Sequence, residues 1–220
     1  MTRRKEFDQG LAELQTLLVT MGEQTETVLN DAIQALDQQD ISSADQIIKN
    51  DLDINELEEK IMKIGTKLIA TQQPVAKDLR KILVAFKISS DLERMADLAV
   101  DIAEVVLQME EQKLMQVSRA DILRLGEITK KMIHDSIQAY LHENVDLAYK
   151  MARDDDQVDH LYSQIIRELV SYIVEKPYEM NQILMLAFVC RYIERIADHA
   201  TNIGENVVFL VNGHRPELNP

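Results

Sequence analysis

The chain has 220 residues, 46% of them hydrophobic, and its 24 lysines and arginines against 38 aspartates and glutamates leave a formal net charge of −14. So acidic a chain repels a nucleic-acid backbone or an anionic lipid surface, and its one dense basic run, Arg3-Arg4-Lys5, is too short to reverse that. Six glycines and four prolines are too few for a fold of many tight turns, and good helix formers fill the long segments, so the composition predicts an all-α protein.

Taken in chain order, the first predicted helix covers 5–38 and stops before Asp40-Ile41-Ser42-Ser43. The basic opening is followed by Glu6, Asp8 and Gln9 rather than an apolar run, which is not the pattern of a secretory leader. A second helix is expected over 42–71. Pro74 suits the first turn of a third helix, 75–113, where its missing N–H costs nothing. Ser118, with Asp121 three residues on, reads as the N-cap of a fourth helix over 119–142. Asn144 and Asp146 start a fifth, 145–175. Pro177 repeats the role of Pro74 before a sixth, 178–211, which Gly213 closes. The lone Cys190 reads as a small buried hydrophobe, and no stretch approaches 18 uninterrupted apolar residues. These features together predict a cytoplasmic protein. Helices of ~30 residues are ~45 Å long, and short connections make them antiparallel neighbours in a bundle.

The chain repeats itself. Glu93-Arg94-Met95-Ala96-Asp97 returns 101 residues later as Glu194-Arg195-Ile196-Ala197-Asp198, and Ala99, Ile102 and Glu104 return as Ala200, Ile203 and Glu205. In the preceding helices the offset is 104: Asp51, Asn55 and Leu57 fall on Asp155, Asp159 and Leu161. Residues 1–114 and 117–213 are therefore expected to be two copies of one three-helix unit, followed by a loose tail over 214–220.

At ~100° per residue, Glu93, Asp97, Asp101 and Glu104 form a narrow acidic stripe opposite an apolar face. Glu194, Asp198, Asn202 and Glu205 repeat it. Asp51 with Asn55, and Asp155 with Asp159, add i, i+4 pairs from the preceding helices. Such a stripe is ordinarily a solvated face. Like charges at i, i+4 cost a helix roughly 0.2–0.5 kcal/mol per pair, however, and here only Arg94 and Arg195 border them. The doubling of the pattern favours cation binding. All-oxygen ligands suit Mg²⁺, Ca²⁺, Mn²⁺ or ferric iron, with Zn²⁺ as a further candidate. His199 lies about 100° off the stripe and reads as a surface or interface residue.

The motifs Glu93-Arg94-Met95-Ala96-Asp97 and Glu194-Arg195-Ile196-Ala197-Asp198-His199-Ala200-Thr201-Asn202-Ile203 resemble the repeated signature of the PhoU family, and the likeness extends over nearly the whole chain. It implies two three-helix bundles side by side and a non-enzymatic negative regulator of the phosphate-starvation response. It also implies that the regulator binds the ATPase subunit of the phosphate ABC transporter and the phosphate sensor histidine kinase. Metal ions (Fe, Mn, Mg or Zn) are implied on Glu93 with Asp97 and on Glu194 with Asp198. Asp101, Asn202, Asp51, Asp155 and Asp159 are the neighbouring candidates. Asn55 stands where the second half has Asp159, which makes the first cluster the less anionic.

Two other readings are weighed. A carboxylate-bridged di-metal enzyme or metal-storage bundle would carry Glu-x-x-His, but Ala96 and Ala197 stand three residues after Glu93 and Glu194. A bundle without metal is the other. There is no nucleotide-binding loop, nucleophile–histidine pair or cysteine metal motif. Wide apolar faces rich in Met and Leu predict a leftover patch, and with it a homodimer.

Overall fold

In the computed structural model, which describes residues 2–50, 52–109 and 118–218, the described chain is helical throughout. Its elements are α1 (Thr2–Gln38), α2 (Ile41–Lys49), α3 (Leu52–Gln72), α4 (Ala76–Gln108), α5 (Arg119–Leu141), α6 (Val145–Glu175), a 3₁₀ turn (Pro177–Glu179) and α7 (Met180–Asn212). The expected continuation of the third helix past 109 and the boundary between the halves lie outside the described residues.

One predicted helix is two. The Asp40 carboxylate accepts the Ser42 and Ser43 N–H groups at 3.0 and 3.1 Å and so starts α2. The Asn50 N–H ends it nine residues later on the carbonyls of Gln46 and Ile47. Asparagine is a poor interior helix residue because its amide competes for nearby backbone groups. The second half has Asp154 there, a residue of the same tendency, but Lys150 donates to its carboxylate at 2.8 Å and so holds it away from the backbone, and α6 runs on unbroken. Two expected start signals also act differently. Ser118 has a left-handed backbone (φ 57°) and makes no cap, its hydroxyl donating instead to Glu168 Oε2 at 2.7 Å. Pro74 precedes the N-cap Val75 rather than entering α4, whereas Pro177 does open the 3₁₀ turn.

Within the first half α1 and α4 run parallel, since Arg4 pairs with Asp78 and Thr25 reaches the Leu92 carbonyl. In the second half α6 runs antiparallel to both of its neighbours. Lys150 meets Asp135 of α5, and Ala148 and Met151 pack against Gly204 of α7. The halves join through two antiparallel pairs. On one side His199 Nδ1 of α7 lies 3.0 Å from Asp91 Oδ1 of α4. On the other, Arg119 of α5 pairs with Asp37 of α1 at 2.6 Å.

The α1–α5 contact is reciprocal. A Cβ on Gly22 of α1 would lie 2.5 Å from Ile137 of α5, and a Cβ on Gly126 of α5 would lie 2.2 Å from Ile33 of α1. Gly22 and Gly126, like Ile33 and Ile137, are 104 residues apart, the offset of the repeat. An isoleucine of each half thus fills the notch that the other half's glycine leaves, as a pseudo-two-fold axis requires. The buried apolar residues form one continuous cluster, running from Leu18 and Leu92 in the first half to Leu125, Ile165 and Ile196 in the second. The halves therefore share a core. No helix among the described residues is long and apolar enough to cross a membrane.

The stretch expected to be a loose tail is tied back. Gly213 ends α7 with φ 80°, a conformation that disfavours any residue with a Cβ. The chain then turns so that Arg215 Nε and the Leu218 N–H donate to the Glu205 carboxylate at 2.8 and 2.9 Å.

Candidate metal centre

The second-half carboxylates come from two antiparallel helices, Asp155 and Asp159 from α6 and Glu194 and Asp198 from α7. They are not a solvated stripe. Asp155 is 3% exposed and Glu194 8% exposed, and Asp159 and Asp198 are half-buried. Helical periodicity places these groups opposite the apolar face of their own helix, but α6 and α7 close that side against each other.

Their titration reflects the crowding. Burial, then the charges of Asp198 and Asp159 and last that of Glu194, push the Asp155 carboxyl up to about 7, opposed by the nearby Thr201 side chain. Burial and the charge of Asp198 push Glu194 up to about 7 as well, although Arg191 sits on its Oε1. Burial and Asp159 raise Asp198, opposed by Arg191, His199 and Arg195. Burial and Asp156 raise Asp159. Arg191, three residues before Glu194, is the counter-charge that motif reading overlooked; its i, i+3 spacing is the signal that could have found it. Glu194 Oε2 is buried with no hydrogen-bond partner.

Asn202 stands apart from this group, because its Oδ1 accepts from Arg215 Nη2 at 3.3 Å. Glu205 of the same stripe is 8% exposed and is held by the tail. His199 is an interface residue, on Asp91 of the other half.

In the first half Glu93 and Asp97 lie on α4 with Arg94 beside both, at 3.4 Å from each. Asp101 follows one turn after Asp97, close enough for their charges to interact. Burial, Glu104 and Asp97 raise its carboxyl while Arg195 of α7 lowers it, and it lines a groove between α4 and α7 with Tyr192. Asp51 lies outside the described residues. The four acids from α6 and α7 thus form the denser cluster.

All-oxygen donors and a buried carboxylate oxygen lacking a hydrogen-bond donor fit a hard cation in kind. As the side chains stand, no three histidine, cysteine or carboxylate groups among the described residues converge on one ion position. Holding an ion would require at least one of the four to turn inward.

The PhoU domain model matches the chain twice, over residues 18–106 and 122–207. The phosphate-specific transport system accessory protein PhoU homolog of Clostridium acetobutylicum is 40% identical over 217 residues, 98% of this chain and 99% of that protein. The Escherichia coli K12 accessory protein PhoU is 34% identical over 208 residues, covering 94% and 86%. Among solved structures, PhoU from Pseudomonas aeruginosa superposes with a TM-score of 0.90 at 34% identity, over 94% of this chain and 100% of that one. The phosphate transport system regulatory protein PhoU from Streptococcus pneumoniae gives 0.89 at 27% identity, over 96% and 99%. The internal repeat seen in the sequence is therefore a tandem PhoU domain, and the chain belongs to the PhoU family.

Proposed function

We propose that the chain is a cytoplasmic, non-enzymatic regulator of phosphate uptake. It holds the ATPase subunit of the phosphate transporter and the phosphate sensor kinase in their inactive states when phosphate is plentiful. The observation that carries this reading is the match of both halves to the PhoU domain, with relatives named as accessory proteins of phosphate-specific transport. Regulation by binding requires the chain to prefer one state of its partner; a hundredfold preference shifts that equilibrium by about 2.7 kcal/mol.

The carboxylates have a supporting role in this reading. Asp155 and Asp159 from α6 and Glu194 and Asp198 from α7 would hold a hard divalent or ferric ion, and Glu93 with Asp97 a second, weaker one. Such an ion supplies positive charge and a cross-link between helices. Arg191 limits the negative charge of the cluster by pairing with Glu194 Oε1.

The test is co-purification of tagged chain from phosphate-replete cells, with immunodetection of the two named partners and metal analysis of the eluate. Transporter ATPase or kinase in the eluate supports the reading. Metal-loaded protein without either partner, together with oxygen consumption on addition of ferrous iron, points instead to a metal-storage or oxidative bundle.

A further inference from the structure

Six of the eleven large apolar side chains exposed among the described residues fall between 170 and 188. Val170 and Val174 end α6, Tyr178 lies in the 3₁₀ turn, and Met180, Leu184 and Phe188 begin α7. Val174 is 81% exposed, Tyr178 78% and Phe188 56%. Phe188 stacks on Tyr192, one turn on along α7, at 6.5 Å between ring centroids, so the aromatic surface runs along the helix. Leu184 and Phe188 also wall a groove of about 340 Å³ between the start of α7 and the end of α4, and Asp101 and Glu104 of α4 form its opposite rim. Apolar residues concentrated in this way mark a contact surface more often than a solvated one.

The repeat sharpens the point. The first-half counterpart of Phe188 is Lys87, which lies over the Phe209 ring at 5.9 Å. At the same position in the repeat the first half keeps a cation and the second half exposes an aromatic ring. Fold requirements common to the two halves therefore do not demand Phe188.

We propose that this corner docks an amphipathic helix of a partner protein that carries lysine or arginine along one edge of its apolar face. The proposal rests on the regulatory reading above and places that regulator's partner surface. A groove between two antiparallel helices receives the ridge of a third helix, and an all-helical neighbourhood offers no strand edge to extend. Charge complementarity sets the partner's sign: Glu104 is exposed and makes no ion pair among the described residues. A second copy of this chain docked face to face would bring the same acidic rim against itself, and each copy carries a net charge of −14.

The experiment titrates the purified transporter ATPase subunit, and separately the cytoplasmic part of the sensor kinase, into labelled full-length chain. Wild type is compared with the double variant L184D/F188D, with Glu104→Lys, and with Gln38→Lys in the separate cleft that α1, α2 and the middle of α4 line as control. Both α7 positions are solvent-exposed, so the double variant should keep its helix content and melting temperature, which circular dichroism checks. The expected result is at least a tenfold loss of affinity for one partner in the double variant. Glu104→Lys should lose severalfold and flatten the salt dependence, and Gln38→Lys should bind as wild type. Wild-type affinity in both groove variants overturns the docking surface and leaves the regulatory reading standing. Wild type that binds neither partner overturns both. A dimer that L184D/F188D converts to monomer without change in partner affinity assigns the corner to a second copy and overturns the proposal.

Discussion

At the scale of single residues, the protonation of Asp155 and Glu194 separates a buried anion cluster from a solvated face. Both carboxyls sit near 7 in the folded protein, against about 4 in an unfolded chain. Between those values the folded state holds protons that the unfolded state has released. Stability of the metal-free protein from these groups is therefore fully present below about pH 4, falls as pH rises towards 7, and is flat above. Asp155→Asn keeps the side-chain shape and removes the charge. At pH 8 without metal the variant is expected to be more stable than wild type by on the order of 1–3 kcal/mol, less than the full shift because relaxation offsets part of it. With Mn²⁺ a hundredfold above its dissociation constant, wild type should gain ~2.7 kcal/mol and the variant less. Chemical denaturation across pH 4–8, with and without Mn²⁺ after chelator treatment, reads both effects. A wild type whose stability ignores both pH and metal would remove the cluster from the account. The glutamate and aspartate positions were legible in the sequence because they recur in register. Their burial was not, because a helical wheel describes one helix and the covering face belongs to another.

At the scale of elements, α2 is the most dependent on its ends. It has nine residues, too few to hold as an isolated helix. Asp40 caps it through two backbone N–H groups and the Ser43 hydroxyl, the last at 2.7 Å. Asp40→Ala should cost about 1 kcal/mol, seen as a lower urea midpoint and as faster amide exchange in α2 before any other helix. At the other end of the chain, Gly213→Ala should cost about 1–2 kcal/mol. It forces a Cβ into left-handed backbone, 2.9 Å from Arg80 Nη1. Gly213 was readable as a cap after a long apolar run; Asp40-Ile41-Ser42-Ser43 was readable as a break, though not Asp40 as the residue that caps α2. The division between α2 and α3 was not, since Asn50 alone is too weak a signal to outweigh a helical pattern that continues past it. Arg215 was likewise unreadable as a partner of Glu205, because the tie depends on how the chain turns after Gly213.

At the scale of the whole molecule, the shared core and the reciprocal Gly22–Ile137 and Gly126–Ile33 contacts make the two domains one folding unit. Unfolding should therefore show a single transition by calorimetry. Gly22→Leu and Gly126→Leu should each cost about 1–3 kcal/mol through overpacking of the same pseudo-symmetric seam. The double variant should depart from additivity if the helices move apart once for both. Two separate transitions would contradict the shared core. The family and its fold were legible because the repeat preserved charged as well as apolar residues; the seam between the halves was not, because glycine inside a helix does not announce which neighbour it admits. The most direct measurement of the central claim is the ATP hydrolysis rate of the purified phosphate transporter, reconstituted with its substrate-binding component and phosphate, as this chain is added. The account predicts a saturable fall in rate. An unchanged rate at saturating chain, with no binding to transporter or sensor kinase, would contradict it.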